Sequence, residues 1–365
     1  MRVLCVIDDL GSGGAQRQLV SVACGLAARG HHVELFTYHA LAHFRSTLDA
    51  AGIRVHLRVK TRRFAIAPVR ALRRLITEGS FDTVLAFLET PVVYAELATR
   101  GLRGVRLVVG ERSTVPGGRA SVARVLKSQL HRAANAVVTN SYAQRDWMAH
   151  RFPFLAPKLS VVWNGIDLEE FRPGVGRPSG GELRLLGIGR IAPEKNLPRL
   201  IEAVACCQEN GIALRVDWVG REDAAAEADA VKRLVIARGL ESNWRWWGER
   251  RDTPERLRAC DALIAPSLFE GLPNAVCEAL ASGVPVLASA VSDNARLAPE
   301  GEHGFLFDPG ETTAIAGAIA RFAALASPDR LAMGQRGRAF AERHLGMATC
   351  IDSYERLLTS LKNDG

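Results

Sequence analysis

The chain has 365 residues, more than a single hydrophobic core usually serves, so two domains are expected. With 48% hydrophobic and 24% charged residues it is not a disordered chain. No apolar run approaches the roughly 18 residues that a membrane-spanning helix needs. The net charge of +8 hides an asymmetry: residues 1–165 hold 23 Lys and Arg against 10 Asp and Glu, and residues 166–365 hold 24 against 29.

In chain order, the N-terminal MRVLCVIDD is too short an apolar run for a secretory signal and meets Asp8 and Asp9 at once, so a cytoplasmic protein is expected. Seven cysteines without C-x-x-C spacing then read as reduced thiols, with neither disulfides nor a zinc site expected. Apolar runs predict strands near 2–8, 32–37, 53–58, 83–88, 105–110, 135–139 and 159–163, with helical patterns between them. The first strand runs into GSGGAQRQL, where Gly11, Gly13 and Gly14 allow close backbone approach to a phosphate at a helix start. A plain glycine turn and a dinucleotide site are the rival readings. The latter has Glu34 at an acidic spacing but Gln16 where its fingerprint requires glycine.

Eight basic residues fall between Arg54 and Arg74, among them Arg62, Arg63, Arg70, Arg73 and Arg74, around an apolar stripe of Ile66, Val69, Leu72 and Ile76. A basic amphipathic segment suits an anionic membrane surface, and a solvated helix face is the alternative. Nucleic acid is disfavoured because aromatic residues do not interleave with the charges.

The stretch NGIDLEEFRPGVGRPSGGE breaks the rhythm and marks an interdomain linker at 166–182. The rhythm restarts with strands near 183–189, 213–219, 243–247, 261–266, 284–289 and 304–307, and helices near 195–209, 224–239, 253–259 and 273–282. Three helices fill 311–362. The predicted class is α/β, two Rossmann-like doubly wound domains facing across a cleft, with ligands at the carboxyl ends of the strands. The expected division is 1–165 on the acceptor side, 183–345 on the donor side, and a helix at 346–365 packing back towards the first domain.

Two motifs in the second half carry chemistry. In IGRIAPEKNLPRLIEA, Arg190 and Lys195 fall where strand hands over to helix, a position from which two cations neutralise a diphosphate. In SLFEGLPNAVCEALASGVPVLAS, Pro273 and Gly283 bracket a helix that puts Asn274 and Glu278 on one face, with Glu270 in the loop before it. Free amides near Gly271, Asn274 and Ala275 suit an anion, and the carboxylates suit sugar hydroxyls, so the pair points to a nucleotide sugar.

Taken in order, GSGGAQRQL, VVWNGIDLEEFRP, IGRIAPEKNL and EGLPNAVCEALASGVPVLAS, with its E-x7-E spacing, resemble a retaining glycosyltransferase of family 4 with the GT-B fold, over nearly the whole chain. The resemblance implies that Arg190 and Lys195 bind the donor diphosphate, Glu278 the ribose hydroxyls and Glu270 the transferred sugar. It implies that Gly271 and Leu272 lend backbone amides, with Gly13 and Gly14 of the other domain near the β-phosphate, and that Gly248 and Arg250 of WWGER flank the nucleobase. Where many relatives carry a histidine after the fifth strand, this chain reads VVGERSTV, which makes Glu111 and Arg112 the acceptor-side candidates. His131, inside an apparent helix, reads as structural.

The expected activity is transfer of a hexose or N-acetylhexosamine from a UDP-sugar to a glycan hydroxyl, on a lipid-linked acceptor, at the inner face of the membrane. The partners expected are therefore the donor, the acceptor and an anionic membrane surface, but not nucleic acid. No D-x-D pair or His/Asp ligand set is present, so neither metal nor other cofactor is expected. A nucleotide-sugar epimerase of the same fold and a catalytically silent nucleotide-sugar or glycan binding protein are the alternatives.

Overall fold

The computed structural model describes residues 1–60, 65–112, 128–174 and 181–363. The chain divides into two compact units, one formed by Met1–Gly165 with Met347–Gly365 and the other by Ile166–Gly346.

The first unit is built on seven parallel strands: β1 (Arg2–Val6), β2 (His32–Thr37), β3 (Arg54–Leu57), β4 (Thr83–Phe87), β5 (Arg106–Glu111), β6 (Ala136–Thr139) and β7 (Leu159–Val161). Their order is β3-β2-β1-β4-β5-β6-β7, and Val3 pairs with Val33 on one side and Thr83 on the other. Side chains alternate across a strand, so β1 feeds two core layers. Val3, Cys5 and Ile7 pack with Leu19, Val22 and Leu26 of the helix Gly14–Ala28, and with Ile351, Tyr354 and Leu358 of the helix Met347–Asn363. Leu4 and Val6 pack on the opposite face with Leu72 and Ile76 of the helix Ile66–Glu78 and with Val92 and Ala95 of the helix Glu89–Thr99.

The second unit has six parallel strands: β8 (Leu183–Ile188), β9 (Leu214–Val219), β10 (Trp244–Trp246), β11 (Ala262–Ala265), β12 (Val286–Ser289) and β13 (Gly304–Phe307). Their order is β10-β9-β8-β11-β12-β13. The helices Leu197–Glu209 and Thr312–Ala324 bury Leu200, Ile201, Val204, Ile315, Ile319 and Phe322 in one core layer. On the other face the helix Asn274–Ala281 buries Val276, Cys277, Ala279 and Leu280, and it packs against the helix Ser327–His344.

Both units are therefore Rossmann-like doubly wound domains, the class that the alternation of strands and helices predicts. In each, the strand order reverses beside the first strand, between β1 and β4 and between β8 and β11. Loops leaving the carboxyl ends of these neighbouring strands diverge to opposite faces and open a crevice for ligand.

The basic segment behaves differently from the stripe read in the sequence. Leu72 and Ile76 are buried in the domain core and Val69 packs against it, which leaves Ile66 67% exposed at the start of the helix. The stripe is thus accounted for by the domain's own sheet. Arg70, Arg73 and Arg74 lie on the outer face, where Arg73 donates to the carbonyls of Ala98 and Arg100 and Arg74 pairs with Glu78. Arg62 and Arg63 lie outside the described residues.

Candidate active site

In the second unit the crevice at the β8/β11 switch brings together residues far apart in sequence. The loop after β8 carries Arg190 and, in a short 3-10 turn Pro193–Lys195, Lys195. The loop after β11 carries Glu270. Lys195 Nζ lies 2.5 Å from Glu270 Oε1, both side chains less than one-fifth exposed, and Ser267 Oγ donates to the same oxygen at 2.8 Å. The lysine stem lies over Gly189, where a Cβ would come within 2.8 Å of Lys195 Cε. A side chain at that position would displace the lysine stem.

Asn196 holds the two loops in register. It adopts a left-handed conformation (φ 55°, ψ 33°), is 3% exposed, and its amide donates to the carbonyls of Pro266 at 3.2 Å and Pro309 at 2.8 Å. Leu268 N donates to the Glu194 carbonyl at 2.8 Å, a second tie between the loops. Asparagine tolerates this conformation better than branched residues do, and a buried amide needs such partners. This bracing role is not visible in the sequence because the partners come from two distant loops.

Arg190 stands nearer to solvent. Its side chain is 49% exposed and pairs with Glu194 at 2.5 Å and Asp223 at 2.9 Å, partners that raise its already high pKa, the hydrogen bond to Asp223 most of all. It shares the loop with Lys195 but is engaged by its own carboxylates.

The loop 266–273 leads into the helix Asn274–Ala281, whose first turn holds Asn274 on the same face as Glu278, 7% exposed. Leu272 is buried, and the Gly271 carbonyl accepts a hydrogen bond from Ser292 Oγ in the loop after β12. Gly248 and Arg250 follow β10, two strands from β8, and so lie apart from the Lys195–Glu270 pair along the sheet edge. Gly248 takes a left-handed turn (φ 64°), and Arg250 pairs with Asp252, which hydrogen bonds from Arg250 and Arg256 hold well below the usual carboxylate range.

In the first unit, Gly13 caps the helix Gly14–Ala28 at the carboxyl end of β1. A Cβ on Gly13 would come within 2.2 Å of Gln16 Oε1. Gln16 Nε2 in turn reaches Asp8 Oδ1 at 3.3 Å and Asp9 Oδ1 at 3.2 Å, and Asp9 Oδ1 accepts from Gly11 N at 2.7 Å. Burial, with the charge of Asp9, raises the Asp8 pKa. Two aspartates that read in the sequence only as the end of an apolar run thus order the glycine loop.

Glu111 is the last residue of β5 and is 6% exposed. Its carboxylate lies 3.2 Å from Nε2 of His131, whose Nδ1 is 2.5 Å from Glu96. Arg112 points elsewhere: its guanidinium stacks 4.1 Å from the centre of the Phe87 ring and donates to Asn164 Oδ1 and, at 2.5 Å, to Tyr354 of the C-terminal helix. That engagement gives Arg112 a part in holding the first unit together.

Among the described residues no group of three or more His, Cys, Asp or Glu is arranged to hold a metal ion, and no helix is long and apolar enough to cross a membrane. The seven cysteines are free thiols. Burial pushes those of Cys5 and Cys207 up to about 12, too high for ready thiolate chemistry.

Comparison with known proteins agrees with this architecture. Residues 12–170 match the family described as Glycosyltransferase Family 4, and residues 182–324 match Glycosyl transferases group 1. The chain is 30% identical over 176 residues to the UDP-Gal:alpha-D-GlcNAc-diphosphoundecaprenol alpha-1,3-galactosyltransferase of Escherichia coli, a match that spans 45% of each chain. To the D-inositol 3-phosphate glycosyltransferase of Corynebacterium glutamicum it is 27% identical over 97% of this chain and 92% of that one. Anabaena HepE, solved in complex with UDP and glucose, superposes with a TM-score of 0.83 at 21% identity, covering 99% of this chain and 100% of the other. That likeness is one of fold, the GT-B class. Matched in order by a glycosyltransferase family 4 domain and a glycosyl transferases group 1 domain, the chain is a glycosyltransferase of the family 4 type.

Proposed function

We propose that the protein transfers a hexose or N-acetylhexosamine, with retention at the anomeric carbon, from a UDP-sugar to a hydroxyl of a lipid-linked glycan. The observation that carries the donor half is the meeting of Lys195, Glu270 and the start of the Asn274 helix at the β8/β11 crevice. A helix N-terminus and a lysine stabilise the charge that gathers on a departing diphosphate. Glu270 takes the hydroxyls of the transferred sugar and Glu278 those of the ribose, since carboxylates accept from both. Arg190 adds positive charge at the outer side of the same loop. Gly13 and Gly14 offer backbone to the β-phosphate, Gly271 and Leu272 line the sugar, and Gly248 and Arg250 flank the base. In this mechanism the chain's own cations do the work of a divalent ion, and no protein carboxylate forms a covalent intermediate.

The acceptor half rests on Glu111 and on the relative from Escherichia coli, whose name gives it a diphosphoundecaprenol-linked substrate. A lipid-linked acceptor places the protein at the inner face of the cell membrane. The outer face of the helix Ile66–Glu78, with Arg70 and Arg74, and the exposed Val59 and Ile66, at 61% and 67%, suit a reversible contact with anionic lipid.

A donor screen tests the proposal. UDP-glucose, UDP-galactose and their N-acetyl forms are added with and without diphosphoundecaprenol-linked N-acetylglucosamine, following thermal stability and UDP release. Acceptor-dependent UDP release, undiminished by chelator, is the expected result. A donor isomerised without acceptor would identify an epimerase. A thermal shift with no turnover would identify a binding protein, and activity that requires added Mg²⁺ would overturn the metal-free mechanism.

A further inference from the structure

The first domain contains a buried chain of charges that donor binding does not use. Glu96, 2% exposed on the helix Glu89–Thr99, meets His131, 1% exposed in the 3-10 turn His131–Ala133. The ring's Nδ1 lies 2.5 Å from Glu96 Oε1 and its Nε2 3.2 Å from Glu111 Oε1. A neutral imidazole donates from one nitrogen only, whereas an imidazolium donates from both, as two flanking carboxylates require. Burial alone would favour the neutral ring. The hydrogen bonds to Glu111 and Glu96, with their charges, outweigh it and push the His131 pKa up to about 9.

Such a chain has a direction. Glu96 lies on the helix, inside the domain, while Glu111 closes β5 at the carboxyl edge of a parallel sheet, the edge where doubly wound domains bind ligand. A buried ion pair seldom stabilises a fold better than apolar residues of the same volume would, so stability is a weak reason for its presence. We infer that His131, clamped by Glu96, is a positioning residue that fixes the Glu111 carboxylate to accept a hydrogen bond from the acceptor hydroxyl. The inference rests on the reading of the chain as a glycosyltransferase. A carboxylate has about four acceptor sites, so it can hold an imidazolium and other donors and still accept from a hydroxyl. Holding its plane matters because catalytic geometry tolerates little displacement: an ångström can cost on the order of 10²-fold in rate.

Two measurements test it. Nitrogen-15 NMR of histidine-labelled protein at pH 7.5 is expected to show both ring nitrogens of His131 protonated, with the Nε2 resonance shifted in Glu111→Gln. A neutral ring in the wild type overturns the inference, and this spectrum needs no variant that has to fold. In steady-state kinetics with UDP-galactose or UDP-glucose and diphosphoundecaprenol-linked N-acetylglucosamine, His131→Asn and Glu111→Gln should each lower kcat/KM for the acceptor tenfold or more. The donor KM should stay within twofold, and the double variant should be no worse than either single one. A folded His131→Asn protein with unchanged acceptor kinetics overturns this inference alone. A wild-type protein that neither binds nor turns over any nucleotide sugar overturns the glycosyltransferase reading and this one with it.

Discussion

Lys195 and Glu270 pair at 2.5 Å, so under the proposed function a diphosphate sugar entering beside them would redirect both, the lysine to phosphate and the carboxylate to sugar. Lys195→Ala should therefore lower kcat by roughly 10²-fold or more, the effect of removing a group that stabilises the leaving charge, with the circular dichroism spectrum unchanged. Near-normal kcat would remove Lys195 from the chemistry. Arg190→Ala should cost less, because that side chain is half exposed and already engaged by Glu194 and Asp223, and the two losses should be non-additive where both serve one diphosphate. At His131 the linkage runs with rising pH. Its folded pKa of about 9 lies above the ordinary histidine value, so its contribution to stability is fully present below about pH 6.5 and is lost as the pH rises through 9. The upper bound is on the order of 3 kcal/mol. Unfolding of the first domain followed from pH 6 to 9.5 should show this loss in the wild type and a flatter profile in His131→Gln. Parallel profiles would mean that the ring is not charged in the fold.

The helix Ile66–Glu78 shows how one periodicity can fit two neighbours. Its apolar positions and its basic flank are both legible in the sequence, but an apolar stripe looks the same whether a sheet or a membrane covers it. In the structure Leu72 and Ile76 face the domain core, and only the basic face with Ile66 is left outward. Arg73 also caps the carboxyl end of the neighbouring helix Glu89–Thr99 through the carbonyls of Ala98 and Arg100, so it is a poor probe of the membrane. The informative variant is Arg70→Gln with Arg74→Gln. Each basic residue near anionic lipid contributes on the order of 1 kcal/mol, screened over about 8–10 Å by salt. The double variant should bind anionic liposomes roughly tenfold or more weakly in flotation, keep donor hydrolysis, and lose activity only on lipid-linked acceptor. Equal binding of the wild type to neutral and anionic vesicles would leave these arginines a solvated face.

The alternation of apolar runs with helical patterns made both doubly wound domains legible, because a strand buried on two faces reads as a continuous apolar segment. The loops after β8 and β11, which the proposed function gives to the donor, stand out in the sequence too, since glycine, proline and charge cluster where strand gives way to helix. What remained hidden depends on contacts between distant segments: Asn196 bracing two loops, Glu96 and His131 behind Glu111, and Arg112 turned inward to Tyr354. The last of these bears on how the first unit is closed. The first unit is made from two separate stretches, and its final helix inserts Ile351, Tyr354 and Leu358 into the core that β1 and the helix Gly14–Ala28 also form. Ile351 fills the space above Gly25, where a Cβ would come within 2.2 Å of its Cδ1, while Arg29 pairs with Asp352 and with Glu355 at 2.5 Å on the rim. Burying each large apolar side chain contributes about 1.5–3 kcal/mol, so losing three of them at once exceeds half the stability of an ordinary domain at the lower end of its range. Ending the chain after Gly346 should therefore unfold the first unit while the second, whose core is complete within Ile166–Gly346, stays folded. Hydrogen exchange should then show protection lost across β1 and β5 and kept across β8 and β11. The full-length Tyr354→Phe variant should lose only about 1–3 kcal/mol, the cost of leaving Arg112 short of a buried acceptor. Retained protection of β1 in the shortened chain would show that the first 165 residues fold without the helix and that its packing there is dispensable.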